Sequence, residues 1–125
     1  MDKVQQIAPL EGRKFAADGI SLEPAHFCER IALRANTDAT AEIGKAIGIA
    51  LPVKPKTSKV LKKGSALWLG PDEWLILVPP DTGLADKLAK LDGLLFSAID
   101  ISHRNTAIYV EGPHAVSSLN AGCPQ

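Results

Sequence analysis

Four of the five positions in DISHR, residues 100–104, hold the densest concentration of chemically capable side chains in the sequence: Asp100, Ser102, His103 and Arg104. A carboxylate, a hydroxyl and an imidazole are the parts of a nucleophile, its base and the group that orients the base. Those parts act together only if the fold brings their functional atoms into hydrogen-bond reach. Adjacent residues on an extended strand point to opposite faces, so Ser102 and His103 diverge unless a turn redirects them. In a tight connection Asp and Ser more commonly bond nearby backbone amides. A structural role is therefore the preferred reading of the cluster, and no catalytic residue is assigned.

Other chemistries have less to stand on. His26, Cys28, His103 and His114 could ligate a metal, but none has the C-x-x-C or H-x-x-x-H spacing of a zinc site. No G-x-G-x-x-G or G-x-x-x-x-G-K-[ST] loop is present to cradle a phosphate. No cofactor-binding or metal residue is assigned either. His103 and Arg104 are retained as candidate interface residues, because arginine grips carboxylates and phosphates in a planar fork and is enriched where proteins meet.

The 125 residues comprise 14 Lys or Arg and 14 Asp or Glu, with 46% hydrophobic and 22% charged residues. That is the composition of a single globular domain. A balanced charge offers no footprint for nucleic acid or an anionic membrane, so neither is expected as a partner. The lysines at 54, 56, 59, 62 and 63 read as a solvated loop. The N-terminus lacks a secretory apolar core, and no apolar run reaches the ~18 residues of a membrane span. Cys28 and Cys123 form no recognisable framework, which suits a reducing, cytoplasmic compartment.

The elements that must position these residues follow from patterning. Residues 1–27 read as an irregular arm punctuated by Pro and Gly. ERIALRA, 29–35, alternates as a strand does. A helix is expected over 38–48, closed by Gly48. PVKPKTSKVLKKGS, 52–65, reads as a stiff basic loop. ALWL and WLILV form a hairpin around GPDE, with Pro71 at a position its fixed φ suits. Residues 82–93 form an amphipathic helix with Leu84, Leu88 and Leu91 on one side. A buried strand over 94–102 is expected to pair with a second over 105–112, before a short helix after Pro113.

This order, β-α-β-β-α-β followed by β-α, predicts an α+β fold. It comprises a ferredoxin-like antiparallel sheet with helices on one face, then the start of a second, incomplete unit. The hairpin is apolar on both sides. Trp68 shares a face with Ala66, and Trp74 with Ile76 and Val78, while leucines 67, 69, 75 and 77 point the other way. Helices on one side leave the other to be covered by something else. Trp68, Trp74 and Ile76 accordingly join His103 and Arg104 as candidate interface residues.

The blocks GIALPVKP, ALWLGPDEWLIL, DISHRNTAIYVEGPHA and LNAGCP resemble, in order, the gamma subunit of heterotetrameric sarcosine oxidase from about residue 28 to Pro124. The paired-Trp hairpin around GPDE is the most specific of them. Members of that family continue past the GCP block, so residues 28–125 are expected to be a gamma-like domain truncated at its C-terminus. The resemblance implies a fold similar to the folate-binding domain of glycine-cleavage aminomethyltransferases. It also implies membership of a cytoplasmic complex that oxidatively demethylates sarcosine to glycine. In that reaction the one-carbon unit passes to tetrahydrofolate or leaves as formaldehyde, and hydrogen peroxide is produced. Alpha, beta and delta subunits are the implied partners; FAD, FMN, NAD and tetrahydrofolate are implied in the partners rather than here. The chain itself is expected to be a non-catalytic subunit. A free-standing folate- or one-carbon-binding domain is the alternative, and a small enzyme using Asp100, Ser102 and His103 the least favoured.

Overall fold

The computed structural model describes residues 7–123; the first six residues of the expected arm, and Pro124 and Gln125 of the GCP block and chain end, lie outside it. In chain order the elements are β1 (Phe15–Ala17), β2 (Ile20–Pro24), β3 (Glu29–Ala35), a 3-10 turn (Thr37–Ala39), α1 (Thr40–Ile47), β4 (Ser58–Leu61), β5 (Gly64–Gly70), β6 (Glu73–Val78), α2 (Leu84–Ala89), β7 (Phe96–Asp100), β8 (Ile108–Glu111) and α3 (Ala115–Gly122). They divide into two compact units, residues 27–104 and residues up to 26 together with those from 105 onward.

The unit 27–104 is a five-stranded sheet of order β4-β5-β6-β3-β7, every neighbouring pair antiparallel. β6 lies between β5 and β3, so the segments β3-α1-β5 and β6-α2-β7 interleave. Period-2 alternation decides which residues go inside. Ile31, Leu33 and Ala35 on β3, Ala66 on β5, and Trp74, Ile76 and Val78 on β6 are buried on one face. They meet Ile43 and Ile47 of α1 and Leu84 and Leu88 of α2 in a single core. Gly48 ends α1 in the left-handed conformation, φ 74°, that a glycine adopts without a Cβ clash. The indole N–H of buried Trp74 donates to the Pro52 carbonyl at 2.7 Å, so the deepest aromatic leaves no polar atom unsatisfied.

Three sequence expectations change here. Residues 58–61 are a strand, not part of a loop: Ser58, Lys59, Val60 and Leu61 pair with Leu67, Ala66, Ser65 and Gly64 across the Lys62–Lys63 turn. Gly64 makes that approach possible, since a Cβ there would stand 2.5 Å from the Leu77 carbonyl oxygen. Residues 15–24 are not irregular but a hairpin, with Phe15 opposite Leu22 and Ala17 opposite Ile20 around Asp18–Gly19. Asp-Gly between short extended runs is a hairpin signal that a count of punctuating residues passes over. Lastly, β8 does not pair with β7. β7 lies along β3, Leu33 opposite Ala98, whereas β8 lies along β2, Leu22 opposite Val110. Sequence neighbours usually pair, but here the end of β7 is tied to β3 instead: the Ile101 N–H donates to the Arg30 carbonyl at 2.8 Å.

The second unit is therefore a three-stranded sheet, β1-β2-β8, with α3 following it. All the fully buried apolar side chains among the described residues belong to the unit 27–104. Phe15, Ile108, Tyr109, Val116 and Leu119 of the smaller unit are all exposed.

Both tryptophans of the chain lie in the larger unit, so their fluorescence reports its unfolding alone. Leu33→Ala, at a side chain with no exposed surface, is expected to lower that unit's stability in urea by about 2–5 kcal/mol. Val60→Ala, at an exposed position, should change it by less than about 0.5 kcal/mol; similar losses at both positions would contradict the assignment of the core.

Candidate functional site

The Asp100–Arg104 turn is built by the strand it terminates. Asp100 closes β7 opposite Ile31, and one of its carboxylate oxygens accepts the Ser102 N–H at 2.8 Å and the Ser102 hydroxyl proton. The Ser102 Oγ in turn accepts the Arg30 N–H at 3.0 Å, and the Arg30 guanidinium donates to the Ser102 carbonyl at 3.0 Å. Arg30 and Ser102 are both buried. The Arg104 N–H donates to the Ile101 carbonyl, which completes the turn. This arrangement is a latch between two strand ends.

The latch decides the chemistry of the cluster. The one proton of the Ser102 hydroxyl goes to Asp100 and a lone pair takes the Arg30 amide, so the oxygen is occupied and inaccessible. A nucleophile needs its proton directed to a base and its oxygen directed to a substrate. The His103 ring stacks on Phe27, centroids 5.3 Å apart and planes inclined by 22°. The turn thus brings Asp100 and Ser102 together and sends His103 to an aromatic contact. The two hydrogen bonds from Ser102, side chain first and then backbone, hold the Asp100 carboxyl below the usual carboxylate range; slight desolvation opposes them, and the nearby His103 adds the smallest push downward.

The possible metal ligands do not converge. Among the described residues no group of three His, Cys, Asp or Glu could hold an ion. His114 is instead packed on the β1–β2 turn: a Cβ on Gly19 would stand 2.1 Å from its ring, and the His114 N–H donates to the Gly19 carbonyl. Cys28 is half-buried and Cys123 exposed, both free thiols. Between α2 and β7 runs an open groove of about 330 Å³ lined by Leu88, Leu91, Leu94, Phe96 and Asp100. Asp100 is the one polar side chain lining it, so it lacks the convergent polar groups that orient a small ligand.

The interface candidates separate cleanly. Trp74 and Ile76, at 1% and 0% exposure, belong to the core and are not interface residues. Both helices pack on the tryptophan side of the hairpin, which the sequence left undetermined. Trp68 is half-buried against that core, while His103 and Arg104 are exposed. The face that the helices do not reach belongs to the residues alternating with the core. Ile99, Ala32, Leu75 and Leu67 run across four strands in register on it. Leu77 and Val60 sit in the adjoining row, on either side of Ser65. Ile99 is 59% exposed and Val60 73%. Leu69, at the bulge between Trp68 and Gly70, is exposed as well. Two-sided apolar patterning signalled such a face; only the side on which the helices land assigns it.

No protein-family model matches the chain. It is 31% identical to the sarcosine oxidase gamma subunit of an Arthrobacter species over 124 residues, 96% of this chain and 61% of that protein. It is 28% identical to the gamma subunit from Corynebacterium sp. strain P-1, with the same coverage. Among solved structures it matches a chain of the heterotetrameric sarcosine oxidase from Corynebacterium sp. U-96 in complex with pyrrole 2-carboxylate. The TM-score is 0.79 at 28% identity, covering 93% of this chain and 62% of that one. The chain thus spans about three-fifths of the length of the curated relatives it matches.

The latch yields a pH statement. A carboxyl with a lowered folded pKa contributes stability that is present above the ordinary carboxylate range and is lost as pH falls through the folded value. In an NMR titration the Asp100 carboxyl carbon should have its midpoint below 3.8, the ordinary value for an aspartate, and Ser102→Ala should move it back up. The same variant leaves the buried Arg30 N–H without its acceptor and should cost the larger unit about 1–3 kcal/mol. An unmoved midpoint would show that Ser102 does not hold the carboxylate.

Proposed function

We propose that this chain, a homologue of the sarcosine oxidase gamma subunit along 96% of its length, works as a non-catalytic subunit of a sarcosine-oxidising heterotetramer. The observation that carries the reading is the structural match to a chain of such a heterotetramer at TM-score 0.79, on a chain whose five-stranded sheet has one apolar face that α1 and α2 do not cover. In this reading the chain contributes surface and not reacting groups. Alpha, beta and delta partners hold FAD, FMN, NAD and tetrahydrofolate, and carry the oxidative demethylation of sarcosine, with one-carbon transfer or formaldehyde release and hydrogen peroxide formation, in the cytoplasm.

Three features support this division of labour. Ser102, the best placed nucleophile by sequence, is committed to the strand latch. The groove beside it has Asp100 as its one polar side chain. The smaller unit has an exposed face on its sheet and none of the fully buried apolar side chains, which suits a body that finishes burying its apolar surface on assembly. The interleaved order β5-β6-β3-β7 supports reading the larger sheet as a ferredoxin-like split βαβ arrangement, with β4 added at one edge.

Co-expression with the large flavoprotein subunits and the delta subunit of a sarcosine oxidase tests the proposal. Tagged chain should retain those subunits in stoichiometric amounts, and sarcosine-dependent peroxide production should require them and be absent from the chain alone. A chain that stays monomeric beside those subunits and binds tetrahydrofolate tightly by itself would overturn the reading and favour a free-standing folate-binding domain.

A further inference from the structure

A net charge of zero conceals an asymmetry. Between Glu42 and Asp72 the sequence carries six lysines and no acidic residue, which leaves the rest of the chain with six more acidic than basic residues. Five of the six, Lys54, Lys56, Lys59, Lys62 and Lys63, lie on β4 and its two flanks, and all are exposed. The two ion pairs among the described residues are Lys14–Glu23 and Arg34–Glu73, so none of these lysines is neutralised there. β4 is the last strand of its sheet, paired with β5 on one side only.

Lysine on an edge strand ordinarily prevents pairing with another sheet. That explains Lys59 but not its surroundings. Val53 and Val60 are 62% and 73% exposed among the lysines, and Leu61 is exposed too; a purely repellent edge has no use for them. The loop leading into β4 is also held in one shape. Pro52 and Pro55 restrict its backbone, and the Thr57 hydroxyl donates to the Lys54 carbonyl at 2.6 Å. The Trp68 N–H donates to the Thr57 carbonyl at 3.0 Å. Lys56 is fixed at φ 58°, a conformation an L-residue seldom adopts unless its neighbours impose it. A pre-shaped cationic edge with apolar side chains set into it has the make-up of a recognition surface.

We propose that the Lys54–Lys63 edge is a docking surface for an acidic protein segment that lies along β4. Its backbone adds to the open strand edge, its carboxylates meet the lysines, and an apolar residue rests on Val60. The partner chemistry follows from what the edge lacks as well as what it has. No arginine and no aromatic ring occurs between Glu42 and Trp68, so the bidentate phosphate fork and the stacking platform of a nucleic-acid surface are both missing. Compact lysine charges interleaved with aliphatics match alternating carboxylate and aliphatic side chains. This surface lies beyond the subunit assignment and stands whether or not that assignment holds.

The test uses the full chain and a fluorescein-labelled octapeptide alternating Glu with Val and Leu, followed by fluorescence anisotropy. The wild-type chain should bind it, more weakly as salt is raised, and should ignore the same peptide with Gln in place of Glu. Lys59→Glu/Lys62→Glu/Lys63→Glu should weaken binding by about tenfold or more, whereas Lys87→Glu/Lys90→Glu, on α2 and at its C-terminal cap, should change it by less than about twofold. All substituted positions are exposed, and an unchanged circular dichroism spectrum confirms folding. Absence of peptide binding by the wild type, equal binding by the triple variant, or tighter binding of an oligothymidylate of the same charge would each overturn the proposal. So would a wild-type dimer in sedimentation that the triple variant abolishes while peptide binding is lacking, which would assign the edge to a second copy of this chain.

Discussion

A sheet has two faces, and the unit 27–104 has helices for one. The short apolar stripes of α1 and α2 converge on Leu33, Trp74 and Ile76, and every other property of the larger unit follows from that choice. It makes the tryptophan side of the hairpin the core. It sends Leu67, Leu75, Leu77 and Ile99 to the opposite side, where no helix of that unit covers them. Leu67, Leu75 and Leu77 are half-buried there and Ile99 exposed; aliphatic side chains gain about 25 cal/mol per Å² on leaving water, so a partly open row of them across several strands is a standing drive toward association.

The strand ends are the second constraint. With Ser102 tied to Arg30 and Asp100, the chain leaving β7 is committed to a fixed turn before it reaches β8. That use of a serine, an aspartate and a buried arginine removes the most enzyme-like constellation in the sequence from chemistry and gives it to architecture. It also explains why His103, one residue on, ends against Phe27 and not against the serine.

Much of this was legible in the residues. Alternation in ERIALRA located β3 to the residue, the apolar run WLILV located β6 to within one residue, and the spaced leucines located α2. The preference for a structural Ser102 came from the general habit of Asp and Ser in tight connections. What could not be read had physical reasons. Nothing in a strand's own sequence says which face its helices will cover, so Trp74 and Ile76 looked as available as Leu75 and Leu77. β4 was hidden because lysines and prolines dilute its alternation, and a strand paired on one edge only needs little of it. The β2–β8 pairing joins residues almost ninety positions apart, a contact that local patterning does not encode.

The account rests on the second face of the five-stranded sheet being an assembly surface, and half-buried Leu67 of β5 lies on it. Leu67→Cys in a background with Cys28 and Cys123 replaced by serine places a single thiol there, and its maleimide labelling rate can be followed with and without the alpha, beta and delta subunits. Slowing by about tenfold or more when the complex forms is the expected result, as burial at an interface excludes the reagent. A complex that forms with the labelling rate unchanged would contradict it.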